Sequence, residues 1–591
     1  MSNVPDPNAA FRRALTLQKS GNAAEAAKIY RRLVRSLPGN PQILFLLGTA
    51  EMQLGNVPES IALFERSLKL APNQPRALCN MGTGLQNLGR FDEALACYDR
   101  AITLDPSGAT AFNNRGNTLL SLGRQDEALA GFERAIALQP AYPEAHNNRG
   151  IVLGDLKRRP EALAAFERAV ALRPDFVKAH CNRGSILNDL DRYDEALACF
   201  DRTLALDRDY ALAYLGRGTA LFYLDRTQEA MADLDHAITL DPGNAKMHCT
   251  RAIALYHLGR LKESLAGHDR AAALDPALAE TRWNKSQVKL TLGDFASGWE
   301  LHEWRWKTPA FKSAVRNFTQ PVWLGDRPVA GKTVLVYTEQ GYGDTIHFCR
   351  YVPMLRALGA NVVLEERGRL LPLLRTLKGE FTFAERGEPL AGFDLHCSVM
   401  SLPLAFKTTL DNVPAEIPYL FADPQKEKEV AGRLGDKLRP RIGLAWSGNS
   451  DQSKDRSRSL PLKRFEPLLL LPAFEFHSLQ KEVRPDDAAA MTRFPQLRPH
   501  QDEQNDFSDA AALIAAMDLV ITVDTVIAHL AGAMGKKVWV LLSWMPDWRW
   551  LLDRSDSPWY PTATLFRQPE RGDWDSVMRA VKNRLHSEPP L

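Results

Sequence analysis

At 591 residues, with 45% hydrophobic and 25% charged, the chain is too long for one core and has the composition of a globular protein with two to four domains. Its formal net charge of +3 is small for this length, and no basic face of the kind that nucleic acid or an anionic membrane demands is concentrated in it. No run of 18 apolar residues suggests a membrane span, and the opening segment MSNVPDPNAAFRRALTLQKSG has no signal-peptide core, so the expected location is the cytoplasm.

The first half is periodic. Prolines at 38, 72, 106, 140, 174, 242 and 276 are spaced by multiples of 34, with Arg208 in the skipped slot. Gly48, Gly82, Gly116, Gly150, Gly184 and Gly218 keep the same step, as does the aromatic column Phe64, Tyr98, Phe132, Phe166 and Phe200. Small residues let two helices approach, an aromatic fills the gap, and proline ends the second helix of a unit. The segments FDEALACYDRAITLDP and RQDEALAGFERAIALQP resemble the tetratricopeptide repeat. About eight units are expected over residues 1–278, stacked as an α-solenoid. Five of the seven cysteines repeat with the unit (79, 181 and 249 in one phase, 97 and 199 in another). They read as small buried hydrophobes, as do Cys349 and Cys397, which have no ligand-like spacing.

Asn80, Asn114, Asn148 and Asn182 form a further column, followed one position later by Arg115, Arg149 and Arg183. Amides carry both donor and acceptor, so such a file can hold an extended peptide without demanding one sequence. The arrangement is similar to the asparagine ladder of O-linked N-acetylglucosamine transferase, which implies a protein or peptide partner in the repeat groove. The plainer alternative is that NNRG is a repeat consensus that solvates the first helix.

Repeat grammar decays over 279–330. Trp283, Trp299, Trp304 and Trp306 at helical spacing predict a packed junction rather than a free linker, with carbohydrate stacking as the alternative.

From residue 331 the pattern becomes strand–helix–strand, a parallel α/β arrangement. GKTVLVYTEQ and NVVLEERG read as strands flanking the turn and helix of GYGDTIHFCRYVPMLRALGA. A Pro- and charge-rich stretch, FADPQKEKEVAGRLGDKLRP, separates a first lobe (331–425) from a second (426–591). In the second, strands RIGLAWSGNS, FEFHSLQ, DLVITVD and KVWVLL alternate with helices. The turn EQGYGDT is not a dinucleotide fingerprint. It places Asp344 at a helix start on the ligand-binding edge of the sheet, as an N-cap or as a general base. Asp524 and Thr525 open a helix directly after a strand, where free N–H groups and the helix dipole suit a diphosphate; His529 follows one turn on. The Asp-x-Asp pairs at 207/209 and 233/235 fall in repeats, and 573/575 caps a last helix.

Together GYGDTIHFCRYVP and VDTVIAHLAGAMG resemble the heptosyltransferase-type glycosyltransferases (glycosyltransferase family 9), which have the two-lobed GT-B fold. That resemblance implies Asp344 as catalytic base and Asp524, Thr525, Val526 and His529 at a nucleotide sugar. It also implies a phosphate-binding cation among Lys454, Arg456 and Arg458, with Arg458 favoured by its phase with Pro461, and Gln480 and Lys481 at the base and ribose. The activity implied is inverting, metal-independent sugar transfer from a nucleotide-sugar substrate, without a cofactor. The alternative is a non-catalytic repeat scaffold with a degenerate sugar-nucleotide domain.

Overall fold

The computed structural model describes residues 7–339, 341–390, 392–448 and 458–588. It divides into two compact units, 1–242 and 243–591.

The first unit is a run of antiparallel helix pairs from α1 (Pro7–Lys19) to α14 (Thr227–Leu240), helices of 13 and 14 residues alternating. Within each pair the glycine column meets the aromatic column. A Cβ on Gly48, Gly82, Gly116, Gly150 or Gly184 would stand 2.7–2.8 Å from a ring carbon of Phe64, Tyr98, Phe132, Phe166 or Phe200. Glycine is therefore required there for close approach, and the rings it admits are almost wholly buried. A second 34-residue column closes each turn in the left-handed region. Gly21, Gly55, Gly89 and Gly123 occupy it first, then Lys157 (φ 62°), Asp191 (φ 58°) and Asp225 (φ 65°), which pay a steric penalty glycine avoids.

In the second unit, helices α15 (Ala245–His257) to α18 (Phe295–His302) precede the α/β part. The helix pair α15 and α16 (Leu261–Leu274) continues the pattern of the first unit, and the compact division at 242/243 groups it with the α/β part. Phe295 and Trp299 of α18 are buried against Phe348, Trp548 and Trp559 of the α/β part, with Trp299 and Trp548 edge to face at 5.1 Å. The Trp299 indole N–H donates to the Thr408 carbonyl at 3.2 Å. Trp304 is instead flanked by Arg282 and Lys307, about 4 Å from its ring.

The α/β part contains two parallel sheets. The first has the order β3-β2-β1-β4, from β1 (Thr333–Tyr337), β2 (Asn361–Glu366), β3 (Thr382–Glu385) and β4 (Leu395–Ser398). The second has the order β10-β9-β8-β5-β6-β7, from β5 (Arg441–Ala445), β6 (Glu475–Ser478), β7 (Leu497–Arg498), β8 (Leu519–Val523), β9 (Val538–Leu542) and β10 (Ala563–Arg567). The central strands are apolar on both faces, as parallel strands covered by helices must be. The stretch read as a charged separator forms a helix, Pro424–Leu434. Asp423 caps it by accepting from Gln425 N–H and Lys426 N–H, proline stands at its first position, and Gly435 (φ 72°) ends it. These start and stop signals outweigh the polarity of the segment. Asp573 caps the last helix, Trp574–Ser587.

Candidate functional site

The site is built where strands end and helices begin. After β1 the chain turns through Gly341 into the helix Tyr342–Phe348, and Asp344 is its third residue rather than its cap. After β8 it turns through Asp524 into the helix Val526–Ala533, capped by Thr525, whose Oγ1 accepts from Ile527 N–H at 3.3 Å. The two helices meet at Gly343: a Cβ there would lie 3.2 Å from His529 Cδ2 and 3.7 Å from Val526 Cα. Ala528 N–H bonds the Thr525 carbonyl, and among the described residues Val526 N–H at the start of this helix has no hydrogen-bond acceptor.

Around this meeting point lies a cleft of about 740 Å³ lined by both sheets' loops. Its cations are Arg367, Arg369, Arg458, Lys481 and Arg549, and its carboxylates are Asp344, Glu482, Asp506, Asp524 and Asp547. Among the described residues the two sets are equal in number, so acidic side chains accompany the basic ones along the cleft. Asp344 Oδ1 accepts from Arg549 Nη2 at 2.5 Å, and Arg549 Nη1 donates to Asp547 Oδ1 at 2.7 Å. Arg549 stacks 4.3 Å over Trp548, whose ring packs on Trp299, so the junction helix steadies the loop that carries this guanidinium.

Burial pushes the Asp344 carboxyl above its ordinary value, Arg549 opposes the shift and Asp547 adds to it. Asp524 is raised in the same way by burial and Asp547, with Arg458 opposing. Burial and the Arg549 charge hold His529 down to about 3, so its imidazole is neutral. The Tyr560 hydroxyl bridges His529 Nδ1 (3.1 Å) and His347 Nδ1 (2.8 Å), which fixes the ring and leaves Nε2 on the side of Gly343.

Of the residues proposed from sequence, Asp344, Arg458, Gln480, Lys481, Asp524, Thr525, Val526 and His529 all line this cleft. Lys454 lies outside the described residues. Gln480 does not offer a free amide for a base or ribose. Its Oε1 accepts from Trp446 N–H (3.2 Å) and Ser447 N–H (3.1 Å), and its Nε2 donates to the Ser447 and Glu482 carbonyls (both 3.0 Å). It fastens the end of β5 to the end of β6. Lys481 Nζ donates to the Gln501 carbonyl at 2.8 Å.

The asparagine column is far from idle. Asn182 Nδ2 donates to Asn147 Oδ1 (2.9 Å), Asn147 to Asn148 (3.3 Å), Asn148 to Asn113 (3.1 Å), Asn113 to Asn114 (3.1 Å), and Asn114 to Thr83 Oγ1 (3.4 Å). Asn80 donates to Thr49 Oγ1 at 3.2 Å. Both asparagines of each NN pair therefore stitch successive first helices together in one direction, which the single column could not reveal.

Sequence reading missed Arg549, Asp547, Arg367, Arg369 and Asp506. The one signal was WMPDWRW, an Asp-x-Arg held between tryptophans.

Comparison with known proteins finds likenesses in both halves of the chain. Residues 11–75, 79–146, 143–176, 177–210 and 215–279 match descriptions of the tetratricopeptide repeat. The first half is a tetratricopeptide-repeat array. Residues 504–549, from the cleft wall through the Asp524–His529 turn to Arg549, match glycosyltransferase family 9 (heptosyltransferase). Protein FlbA of Caulobacter vibrioides is 28% identical over 332 residues, 52% of this chain and 55% of the relative. The chain thus spans about half the length of the curated relative it matches. Similar solved structures include YrrB, a TPR protein with an unusual peptide-binding site (28% identical, 30% of this chain and 92% of that one, TM-score 0.27). Another is a chain of the APC/C hetero-tetramer Cut9-Hcn1 (15% identical, 47% and 55%, TM-score 0.40). Among the described residues no helix is long and apolar enough to cross a membrane.

Proposed function

We propose that the α/β part is a cytoplasmic, inverting, metal-independent glycosyltransferase of the GT-B kind, with residues 331–425 and 426–591 as its lobes. Its donor is a nucleotide sugar, and the tetratricopeptide repeats recruit a protein acceptor. One observation carries this reading: the carboxylate after β1 and the helix start after β8 line the same cleft, within reach of Arg458 and Arg549. In the reaction an acceptor hydroxyl oxygen attacks the anomeric carbon, and its proton passes to Asp344. The bond from that carbon to the diphosphate oxygen breaks, and its electron pair leaves with the nucleoside diphosphate. Arg458, Arg549 and Val526 N–H offset the charge that develops there.

Because Gln480 is committed to the backbone, base and ribose contacts fall to Lys481 and the neighbouring main chain. Because the asparagines bond one another, a peptide on the first helices would use their remaining donors and acceptors and the arginines beside them.

A second reading has an observation of its own. The Asp344–Arg549 ion pair neutralises the base at rest, as a non-catalytic scaffold would tolerate. Donor turnover separates the two. The full chain is incubated with a panel of nucleotide sugars, and release of nucleoside diphosphate is compared with that of Asp344→Asn. Release that depends on Asp344 supports the transferase. Binding without release, for every donor, leaves the scaffold.

A further inference from the structure

The ion pair that neutralises the base has a second property. Arg549 is only 7% exposed, lines the cleft, and is held from two sides, by Asp344 through Nη2 and by Asp547 through Nη1. Its Nε–H is buried with no hydrogen-bond partner among the described residues. A buried, unfulfilled guanidinium donor is costly unless a ligand completes it. The fork of a guanidinium matches two oxygens of a phosphate as well as it matches a carboxylate. On the other wall, Val526 N–H heads a helix that favours an anion.

We propose that Arg549 is shared between Asp344 and the diphosphate of the donor, so that donor binding draws the guanidinium off Asp344 and releases the carboxylate to act as base. This rests on the transferase reading and adds to it an order of events: donor first, base competent second, acceptor deprotonated last.

The physical case is a competition between two anions for one cation. A diphosphate carries more charge and more acceptor oxygens than one carboxylate, and it also gains Arg458 and the helix start, so it wins the exchange. Arg549 turns rather than leaves the cleft: Asp547 continues to hold Nη1 and Trp548 to support its plane, while Nη2 swings from Asp344 to a phosphate oxygen. Asp344 then stays in the same buried position without its counter-ion. Burial and Asp547 already push its carboxyl upward, and the loss of Arg549 removes the opposing influence, which makes it more basic at the moment a base is needed. Without donor the pair keeps the carboxylate from deprotonating acceptor or water in a futile encounter.

The test uses the full chain with uridine, guanosine, cytidine and adenosine diphosphates and with inorganic pyrophosphate as probes. Calorimetry compares the wild type with Asp344→Asn, a near-isosteric change that removes the competitor without a change of volume. The expected result is that Asp344→Asn binds at least one probe about tenfold more tightly. A crystal structure of the wild type with that probe is expected to show Arg549 on a phosphate oxygen, with Asp344 more than about 4 Å from it. Equal affinity in the two proteins, or a diphosphate seated in the cleft with the Arg549–Asp344 pair intact, overturns the gate while leaving the donor site standing. If neither protein binds any probe, the donor-site reading falls, and the gate with it.

Discussion

Asp344 and Arg549 stand 205 residues apart in the chain and 2.5 Å apart in space. The pair joins the helix that follows β1 in one sheet to the Trp-rich loop that follows β9 in the other. It puts the candidate base, its counter-ion and an anion-binding helix start in a single cleft. Replacing Asp344 by Asn keeps the shape and removes the proton acceptor. Sugar transfer should fall about 10²–10⁴-fold while affinity for nucleoside diphosphate is kept or improved. Initial rates and titration calorimetry check both parts, and undiminished turnover would remove Asp344 from the role of base.

Gly150→Ala should destabilise the repeat array. An added methyl gains up to about 1 kcal/mol of helix propensity, but it would sit 2.7 Å from Phe166 Cε1. Overpacking of that kind costs about 1–3 kcal/mol, so the clash wins. Gly150→Ala combined with Phe166→Leu should recover part of the loss in urea denaturation. A single variant as stable as the wild type would refute the close-approach account.

The eighth unit lacks the glycine–aromatic pairing, with Ala252 and His268 in those columns. His268 is buried with neither ring nitrogen partnered among the described residues, and burial lowers it to about 4. Above its ordinary value of 6.5 it is neutral in both folded and unfolded chains. As pH falls from there toward about 4, the unfolded chain takes up a proton that the fold refuses, so stability drops across that window, by at most about 1.4 kcal/mol per pH unit. The double change Ala252→Gly with His268→Phe restores the consensus pair. It should raise stability at pH 7 and flatten the acid loss between pH 6.5 and 4.5, as read from denaturation midpoints. Equal acid sensitivity in the two proteins would count against this assignment.

Lys157 holds a left-handed conformation at a turn where four earlier units use glycine. Lys157→Gly should therefore stabilise the array by about 0.5–1 kcal/mol, the relief of the Cβ clash less the entropy glycine loses on folding. A lower melting temperature would show that the lysine side chain contributes more than its backbone strain costs.

Asn148 both accepts from Asn147 and donates to Asn113, whereas Asn80 makes a single bond to Thr49. Asn148→Ala should cost about 1–3 kcal/mol, since it leaves two buried amides, Asn113 and Asn147, short of a partner, and Asn80→Ala should cost less. Identical losses would argue that the file of amides serves a ligand rather than the stack.

The array was legible because each repeat contacts only its neighbours. Columns at a step of 34 therefore report local packing directly, as Gly150 and Phe166 do sixteen residues apart. The two helix starts were legible for the same kind of reason: GYGDT and VDT each sit between a strand and a helix, and sheet chemistry places such turns at one edge. What the sequence could not supply was any partnership between groups distant along the chain. Gln480 looked available until the backbone of β5 claimed its amide, and one asparagine column concealed its neighbour, Asn147 or Asn113, on the adjoining rung. Arg549 carries no periodicity, and WMPDWRW alone does not say which group it faces. Its meaning comes from Asp344, and only tertiary folding brings two such charges together, because an ion pair depends on separation in space and is indifferent to separation along the chain.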